Sequence, residues 1–230
     1  SKSSGSTVGK YLTHPAFTLG SVELNGIWVG KFEVSGSTTD IDVLPNVESL
    51  RSLNVKTMFD LAYNYERTMD SHMMKNTEWG AVAYLAQSKY GNNSIWNNPY
   101  VEGEIYSTTS NGDYGMYNYC GTMTGMVGNG KDDYGPYYAE KIKKTYNDDG
   151  SITITYKSIN NNGTEGSETT KTYYSYNSSN GVNGSTTGNI YGVYDMAGGV
   201  WEYVTAYVDN DSTQVKTYGT GLVGKYANIY

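Results

Sequence analysis

The stretch of sequence that decides the fold is GVYDMAGGVWEY, residues 192–203. It is an apolar run that carries one Asp and one Glu around a Gly-Gly pair and a Trp. The rest of the chain consists mostly of Ser, Thr, Asn, Gly and Tyr, so this composition stands apart from its surroundings. Residues 192–203, called the signature segment below, therefore give more information about the fold than about the function.

Upstream of the signature segment, three stretches show regular periodicity. The first, GIWVGKFEVSG (26–36), places apolar residues between two glycines and predicts a strand. The second, NVKTMFDLAYNYE (54–66), has apolar residues at helical spacing, with Asn54 as the expected N-cap. The third, KNTEWGAVAYLAQSKYG (75–91), predicts another helix that Gly91 terminates.

Between these helices and the signature segment, residues 92–185 are dense in Asn, Gly, Ser, Thr and Tyr. Within them, KIKKTYNDDGSITITYKS (141–158) alternates apolar residues with Thr after an Asp149-Gly150 turn, which predicts a hairpin. ETTKTYYSY (168–176) is a candidate third strand. Because this region is poor in Leu, Val and Phe, we expect no core of its own. We interpret it as an insertion of β-ribbon and loops that lies on the main domain or projects from it.

The composition excludes several classes of protein. A net charge of −7 opposes binding to the phosphate backbone of a nucleic acid. No apolar run approaches the roughly 18 residues of a transmembrane helix, so we expect no membrane insertion. Cys120 is the only cysteine, which excludes an intrachain disulfide and a cysteine-rich zinc site. Residues 1–10 are rich in Ser and Gly and are expected to form a flexible arm.

Tyrosine is the most over-represented residue type, with 25 Tyr against 3 Phe and 4 Trp. Tyr together with Ser, Gly and Asn is typical of adaptable binding surfaces, because it supplies a rigid contact area with a polar tip. The alternative is a β-rich extracellular protein that uses Tyr on half-exposed strands. Both interpretations remain open for most of the tyrosines.

Three segments together carry a resemblance to a known family. Lys31–Ser35 matches a KyEVT-like strand pattern, Thr77–Tyr84 loosely matches the helix pattern TEAEWEYAA, and Gly192–Tyr203 matches GLYDMaGNVWEW. The chain thus resembles the formylglycine-generating sulfatase-modifying-factor family. That resemblance implies an α+β, C-type-lectin-like fold with the long polar β-rich insertion at about 92–185. We expect one such domain over residues 11–230.

In domains of that family the signature segment is the centre of the fold, with its aromatics in the core and its glycines at close backbone approaches. The resemblance therefore implies a structural core, which consists of Trp28, Trp79, Tyr194, Met196, Val200 and Trp201. For the carboxylates Asp195 and Glu202 we expect a structural role, because buried carboxylates must be paired with hydrogen-bond donors.

The resemblance implies a non-catalytic branch of the family. Its copper enzymes use a pair of late cysteines, whereas Cys120 stands alone and precedes the signature segment. Its iron-dependent relatives use a His-x₃-His-x-Glu cluster, whereas His14 and His72 are far apart here. No Gly-rich phosphate loop and no G-x-S-x-G motif occurs. We therefore expect no enzymatic activity and no catalytic residues.

The family also commonly binds a structural calcium ion through the Asn and Glu of its GNVWE motif. Gly199 replaces that Asn here, while Glu202 remains. Asp209 and Asp211 lie just downstream in YVDNDS and are candidate replacement ligands. An Asx-rich turn is the alternative, and we favour it. No other cofactor is expected.

The function expected from these features is a non-enzymatic binding or adhesion module. Phage and bacterial surface proteins that resemble this family display variable loops on such a scaffold, which implies an extracellular, cell-surface or phage-particle location and a carbohydrate or protein receptor. We expect the contacts on the insertion, at Trp96, Tyr100, Tyr106, Tyr114, Tyr117, Tyr137 and Tyr138. Two alternatives are a pilus or fibre subunit that packs against copies of itself, and a divergent sulfatase-modifying-factor-type enzyme.

Overall fold

The computed structural model of the 230-residue chain describes residues 13–98, 123–129, 139–159, 164–214, 217 and 224–230. Within those residues the fold mixes two α-helices with several small, mostly antiparallel sheets, as the sequence predicts. The flexible arm expected for residues 1–10 lies outside the described residues. Neither of the described helices has the length and apolar character needed to cross a membrane.

The regular elements are short. The helices are α1 (Val55–Tyr65) and α2 (Asn76–Leu85). The strands are β1 (Thr18–Leu19), β2 (Val22–Glu23), β3 (Ser35–Gly36), β4 (Ile41–Asp42), β5 (Ala139–Tyr146), β6 (Ile152–Ile159), β7 (Glu165–Tyr173), β8 (Ala206–Tyr207) and β9 (Asn228–Ile229). The antiparallel sheets are β1–β2, β3–β4 and β5–β6–β7, whereas β8 and β9 pair in parallel.

The chain divides into two compact units. The first unit contains the described residues of Ser1–Val29, Ser52–Tyr84 and Glu202–Tyr230, and the second contains those of Gly30–Arg51 and Leu85–Trp201. Neither unit is one continuous stretch of chain. The single domain expected for residues 11–230 stays a prediction.

Helix α1 confirms the prediction for residues 54–66. The Asn54 side chain accepts a hydrogen bond from the Thr57 backbone N–H (2.9 Å), which satisfies one of the free donors at the start of the helix. Phe59 of this helix is buried and belongs to a hydrophobic cluster in the first unit. The buried members of that cluster are Leu19, Phe59, Met73 and Tyr226.

Helix α2 is shorter than predicted, because it ends at Leu85 and not at Gly91. Tight turns follow the helix: Ser88 N donates to Leu85 O (3.0 Å), and Gly91 N donates to Ser88 O (2.9 Å). These turns bring the chain back against the helix end, where a Cβ at Gly91 would lie 2.1 Å from Ala86 O. Gly91 is therefore required by this close approach and does not mark the last helical turn.

The strand predicted for residues 26–36 is wrong except for its last two residues, which form β3. The backbone of this stretch bonds to three separate segments, through the pairs Tyr194 N–Lys31 O (2.9 Å), Glu33 N–Asp195 Oδ2 (3.0 Å) and Leu50 N–Val34 O (2.7 Å). A strand needs one continuous partner, and this stretch has several. Long-range hydrogen bonds have thus overridden the local preference for a strand.

The predicted hairpin is confirmed as β5 and β6. Gly150 occupies the left-handed region of the turn with φ +79°, and Asp149 Oδ1 accepts from the Ser151 backbone N–H (2.9 Å). The candidate third strand is also confirmed, since β7 pairs antiparallel with β6 from Glu165 to Tyr173. Local turn chemistry and alternation were sufficient to predict this sheet.

The expectation that residues 92–185 build no core of their own is wrong. A second hydrophobic cluster lies entirely within them, with the buried members Met126, Ile152, Ile154, Tyr156 and Tyr173. Ile152, Ile154 and Tyr156 alternate along β6, so all three point to one face of the sheet. The scarcity of Leu, Val and Phe led to the expectation of no core, but isoleucine and tyrosine take their place in this cluster.

The core inferred from the resemblance is partly wrong. Tyr194 is buried, with 1% of its surface exposed, as expected. Three further members are half-buried: Trp79, Met196 and Val200. Trp28 and Trp201, however, are 95% and 85% exposed. Trp28 lies in the stretch that fails to form a strand, and the local geometry around Trp201 accounts for its exposure.

Candidate functional site

A buried carboxylate, Asp195, anchors the signature segment. Its Oδ2 accepts from the backbone N–H of Glu33 (3.0 Å), and its Oδ1 accepts from the backbone N–H of Gly125 (2.9 Å) and from Asn98 Nδ2 (2.7 Å). Asp195 adopts φ +65°, a conformation that Asp tolerates better than most residues. The expected structural role of Asp195 is confirmed, because its carboxylate satisfies buried backbone donors.

A second buried carboxylate, Glu33, holds the other end of the signature segment. Its Oε1 accepts from the Val200 backbone N–H (3.0 Å), and its Oε2 accepts from the Ser49 hydroxyl. The role of Glu33 was not predicted from the sequence. The available signal was its position in KFEVSG, where it matches the Glu of the family's KyEVT pattern.

Gly198 and Gly199 make the close approaches that this network requires. Both adopt left-handed backbone conformations, with φ +78° and +76°. A Cβ at Gly198 would lie 2.3 Å from Asn98 O, and a Cβ at Gly199 would lie 2.2 Å from Glu33 Oε1. This geometry explains why glycine stands at position 199, where the family that the sequence resembles has asparagine.

Trp201 follows directly on this fixed backbone. Gly199 N donates to Asn98 O (2.7 Å), and Val200 N is held by Glu33, so the chain is bonded to buried groups up to residue 200. The indole of the next residue, Trp201, is 85% exposed. Its apolar character predicted burial, whereas the backbone geometry presents it to solvent.

Of the aromatic residues predicted to bind ligand, Trp96 alone lies among the described residues. Trp96 is half-buried and packs against Tyr174, with ring centroids 6.3 Å apart. The remaining candidates lie outside the described residues: Tyr100, Tyr106, Tyr114, Tyr117, Tyr137 and Tyr138. Their role in binding stays a prediction.

The candidate calcium ligands are engaged elsewhere or lie in a turn. Glu202 Oε2 accepts a hydrogen bond from the Trp79 indole N–H. Ser212 N donates to Asn210 Oδ1 (2.9 Å), which is the Asx turn favoured as the alternative for YVDNDS. In the described part of the chain, no three His, Cys, Asp or Glu side chains come together as a metal site, and calcium binding at Glu202, Asp209 and Asp211 stays a prediction.

In the first unit, His72 belongs to a buried charged cluster with Glu78 and Lys75. Burial by itself would lower the pKa of His72, but hydrogen bonds to the Glu78 carboxylate (3.2 Å) and to the Asp70 carbonyl raise it. Burial would raise the pKa of Glu78, but bonds from His72 and the Lys75 backbone N–H (2.8 Å) lower it. Both shifts favour an ion pair, so these groups stabilise the fold and leave no ring nitrogen of His72 for a metal.

No protein-family model and no curated protein sequence matches the chain. The feature that stands out is an exposed indole, Trp201, on a backbone held by the buried groups Glu33 and Asn98.

Proposed function

We propose that the chain is a non-enzymatic extracellular binding or adhesion module that presents aromatic side chains to a carbohydrate or protein receptor. The observation that carries this proposal is the exposed Trp201 indole on a fixed backbone. Aromatic side chains supply large, rigid contact areas, and tryptophan is enriched among the residues that carry most of the binding energy of an interface. A backbone held in place beforehand reduces the entropy lost on binding.

The fold we propose for the module is the C-type-lectin-like fold of the sulfatase-modifying-factor family. Support comes from two of the segments that carry the resemblance. Glu33 lies in the first segment and Asp195 in the last, and the Glu33 backbone N–H bonds to the Asp195 carboxylate over 162 residues of sequence. A contact between the matching segments is what the resemblance requires.

The ligand class follows from the chemistry of the exposed ring. An indole face stacks on the apolar face of a sugar ring or fills a pocket on a protein. The net charge of −7 disfavours strongly acidic receptors through long-range repulsion. We therefore propose a neutral or basic receptor, on the outside of a cell or a phage particle.

A glycan array, followed by binding titrations of the best ligand, tests this function. Trp201→Ala should weaken binding about tenfold or more, as truncation of an aromatic anchor does. Because the indole is exposed, the same change should leave the free energy of unfolding within roughly 0.5 kcal/mol of wild type. The matched control is Tyr90→Ala, which removes another exposed ring of the second unit. Equal binding by wild type, Trp201→Ala and Tyr90→Ala would contradict the proposal.

A pilus or fibre subunit is the second candidate, and one observation favours it. Of the described strands, β5 and β7 each pair only with β6, so the sheet has two long edges that a further strand can join. Lys143 and Lys144 on β5 oppose such pairing, as edge lysines generally do. Light scattering over a range of concentrations distinguishes the candidates: a constant monomer mass excludes the fibre, and growing assemblies support it.

A further inference from the structure

Residues 25–29, the open segment, form no hydrogen bond with any residue that the structure describes. The chain is fixed directly before them, because Leu24 N donates to Phe17 O (2.7 Å) and Leu24 packs against the hydrophobic cluster of the first unit. In the open segment Asn25, Gly26 and Trp28 are exposed. The open segment therefore begins with an exposed Asn-Gly pair on a backbone that no described residue holds.

An Asn-Gly pair contains both reactants of an intramolecular reaction. The Gly26 backbone nitrogen can attack Cγ of Asn25, which forms a C–N bond and closes a succinimide ring. The Gly26 nitrogen gives up its proton to solvent, and the Asn25 amide nitrogen takes up a proton and leaves as ammonia. Water then opens the ring: addition at Cγ gives aspartate, and addition at the backbone carbonyl carbon gives isoaspartate. The reaction consumes one water, releases one ammonia and needs no oxidant, reductant or enzyme.

The fold meets the steric requirements of this attack at Asn25. The nucleophile must be free of hydrogen bonds within the fold, and the peptide must rotate until the nitrogen faces Cγ. Nothing lies within 4 Å of a Cβ built at Gly26, so the peptide has space to rotate. Glycine also has the widest choice of backbone conformations and carries no Cβ that would obstruct the approach.

Two further Asn-Gly pairs lie wholly within the described residues, and the first of them, 180–181, is closed to this reaction. Gly181 N donates to Ser178 Oγ (2.9 Å), so its nitrogen is engaged. Gly181 is also buried, and a Cβ there would lie 1.8 Å from Ser175 O, which leaves the peptide no space to rotate. Attack at this pair therefore requires local opening of the fold.

The second of these pairs, 183–184, is closed as well. Asn183 N donates to Asn180 O (3.1 Å), and Asn183 O accepts from Trp96 N (2.9 Å), so the backbone is held on both sides of the asparagine. Gly184 is buried, and a Cβ there would lie 2.0 Å from Cγ1 of Val127. The same dipeptide is thus open to attack at residue 25 and protected at residues 180 and 183.

We propose that Asn25 is a site of spontaneous covalent modification, at which the exposed Asn-Gly pair converts to aspartate and isoaspartate in the folded protein. The product carries a carboxylate close to the exposed Trp28, and the isoaspartate form lengthens the backbone between Leu24 and Trp28. A neutral side chain becomes anionic, so the net charge of −7 becomes more negative by one unit. The reaction needs only water, so the proposal does not depend on the function proposed above.

Incubation of the purified chain in mildly alkaline buffer, followed by peptide mapping with mass spectrometry, tests the proposal. Replacement of the amide NH₂ by OH marks each converted asparagine, and in water enriched in heavy oxygen the new oxygen is labelled. In the folded protein Asn25 should convert at least about tenfold faster than Asn180 and Asn183, because conversion at those two requires local opening. Equal rates at the three sites would overturn the proposal.

The same measurement in urea separates the effect of the fold from that of the local sequence. Glycine follows all three asparagines, so their conversion rates should agree within about threefold once the chain is unfolded. If Asn25 kept its full advantage in urea, the local sequence and not the fold would set the rate, and the structural argument would fail.

A pair of matched variants tests the route of the reaction. Gly26→Ala adds a Cβ to the attacking residue and should slow conversion at Asn25 about tenfold or more. Gly80→Ala is the control, because a Cβ meets nothing within 4 Å at either glycine and only Gly26 follows an asparagine. The control should convert Asn25 at the wild-type rate. An unchanged rate in Gly26→Ala would exclude attack by the residue 26 nitrogen.

Discussion

Gly199 packs against the Glu33 carboxylate, and this contact makes any side chain at position 199 costly. Gly199→Asn would place a Cβ 2.2 Å from Glu33 Oε1 on a backbone with φ +76°. We expect a loss of about 2 kcal/mol or more in the free energy of unfolding, through the clash and the disturbed carboxylate network. Urea denaturation measures this loss.

The matched control is Gly26→Asn. Nothing lies within 4 Å of a Cβ built at Gly26, so this variant should unfold close to the wild type. Similar denaturation midpoints for Gly199→Asn and the wild type would show that the Glu33 contact at position 199 is not tight.

At the scale of single residues, the sequence identified the right segment but not the orientation of its side chains. The role of Asp195 was predictable, since a carboxylate in an apolar run must find donors. The exposure of Trp201 was not, because hydrophobicity does not show in which direction a chain turns after two glycines in left-handed conformations. The role of Glu33 was missed because the backbone N–H that its carboxylate binds, that of Val200, lies 167 residues away.

Among the helices and strands, those stabilised by neighbours in sequence were predictable. Helix α1 begins at its capping Asn54, and the β5–β6 hairpin forms around the Asp149-Gly150 turn. The strand expected at 26–36 failed because its hydrogen-bond partners lie in three distant segments. Short-range signals were thus reliable, whereas elements that depend on tertiary partners were not.

The N-cap of α1 gives a prediction at this scale. Asn54→Ala removes the side-chain acceptor of the Thr57 backbone N–H and should lower the free energy of unfolding by about 1 kcal/mol. Asn54→Asp is the control, because a carboxylate accepts the same bond and interacts favourably with the helix N-terminus. Chemical denaturation of both variants checks this, and equal stability of Asn54→Ala and the wild type would contradict the capping role.

At the scale of the whole molecule, tyrosine serves the interior as well as the surface. Among the tyrosines that the structure describes, four are buried: Tyr156, Tyr173, Tyr194 and Tyr226. Burial raises the pKa of Tyr194 to about 12, and its hydroxyl donates to the Tyr176 carbonyl. Tyrosine therefore fills core positions that phenylalanine occupies in most proteins, and the two interpretations that the composition left open stay predictions.

The His72–Glu78 pair predicts how stability depends on pH. The pKa of His72 is raised above its ordinary value of 6.5, so its contribution is fully present below pH 6.5 and is lost as the pH rises through the raised pKa. The pKa of Glu78 is lowered below 4.5, so its contribution is present above pH 4.5 and is lost as the pH falls through the lowered pKa. The pair should stabilise the protein most between these two limits.

Melting temperatures measured between about pH 4 and pH 9 show how the stability depends on pH. His72→Gln keeps a hydrogen-bonding side chain but cannot ionise, so its melting temperature should fall less than that of the wild type as the pH rises above 6.5. Parallel curves for the two proteins would show that His72 does not carry the alkaline decline.

The exposure of Trp201 also has an optical consequence. Indoles in water emit at longer wavelengths than indoles in a protein interior, and soluble quenchers such as acrylamide reach them. Two of the four tryptophans, Trp28 and Trp201, are almost fully exposed, so much of the protein's fluorescence reports on its surface. A receptor that covers Trp201 will shift this emission to the blue and protect it from quenching, so binding can be followed without any added label.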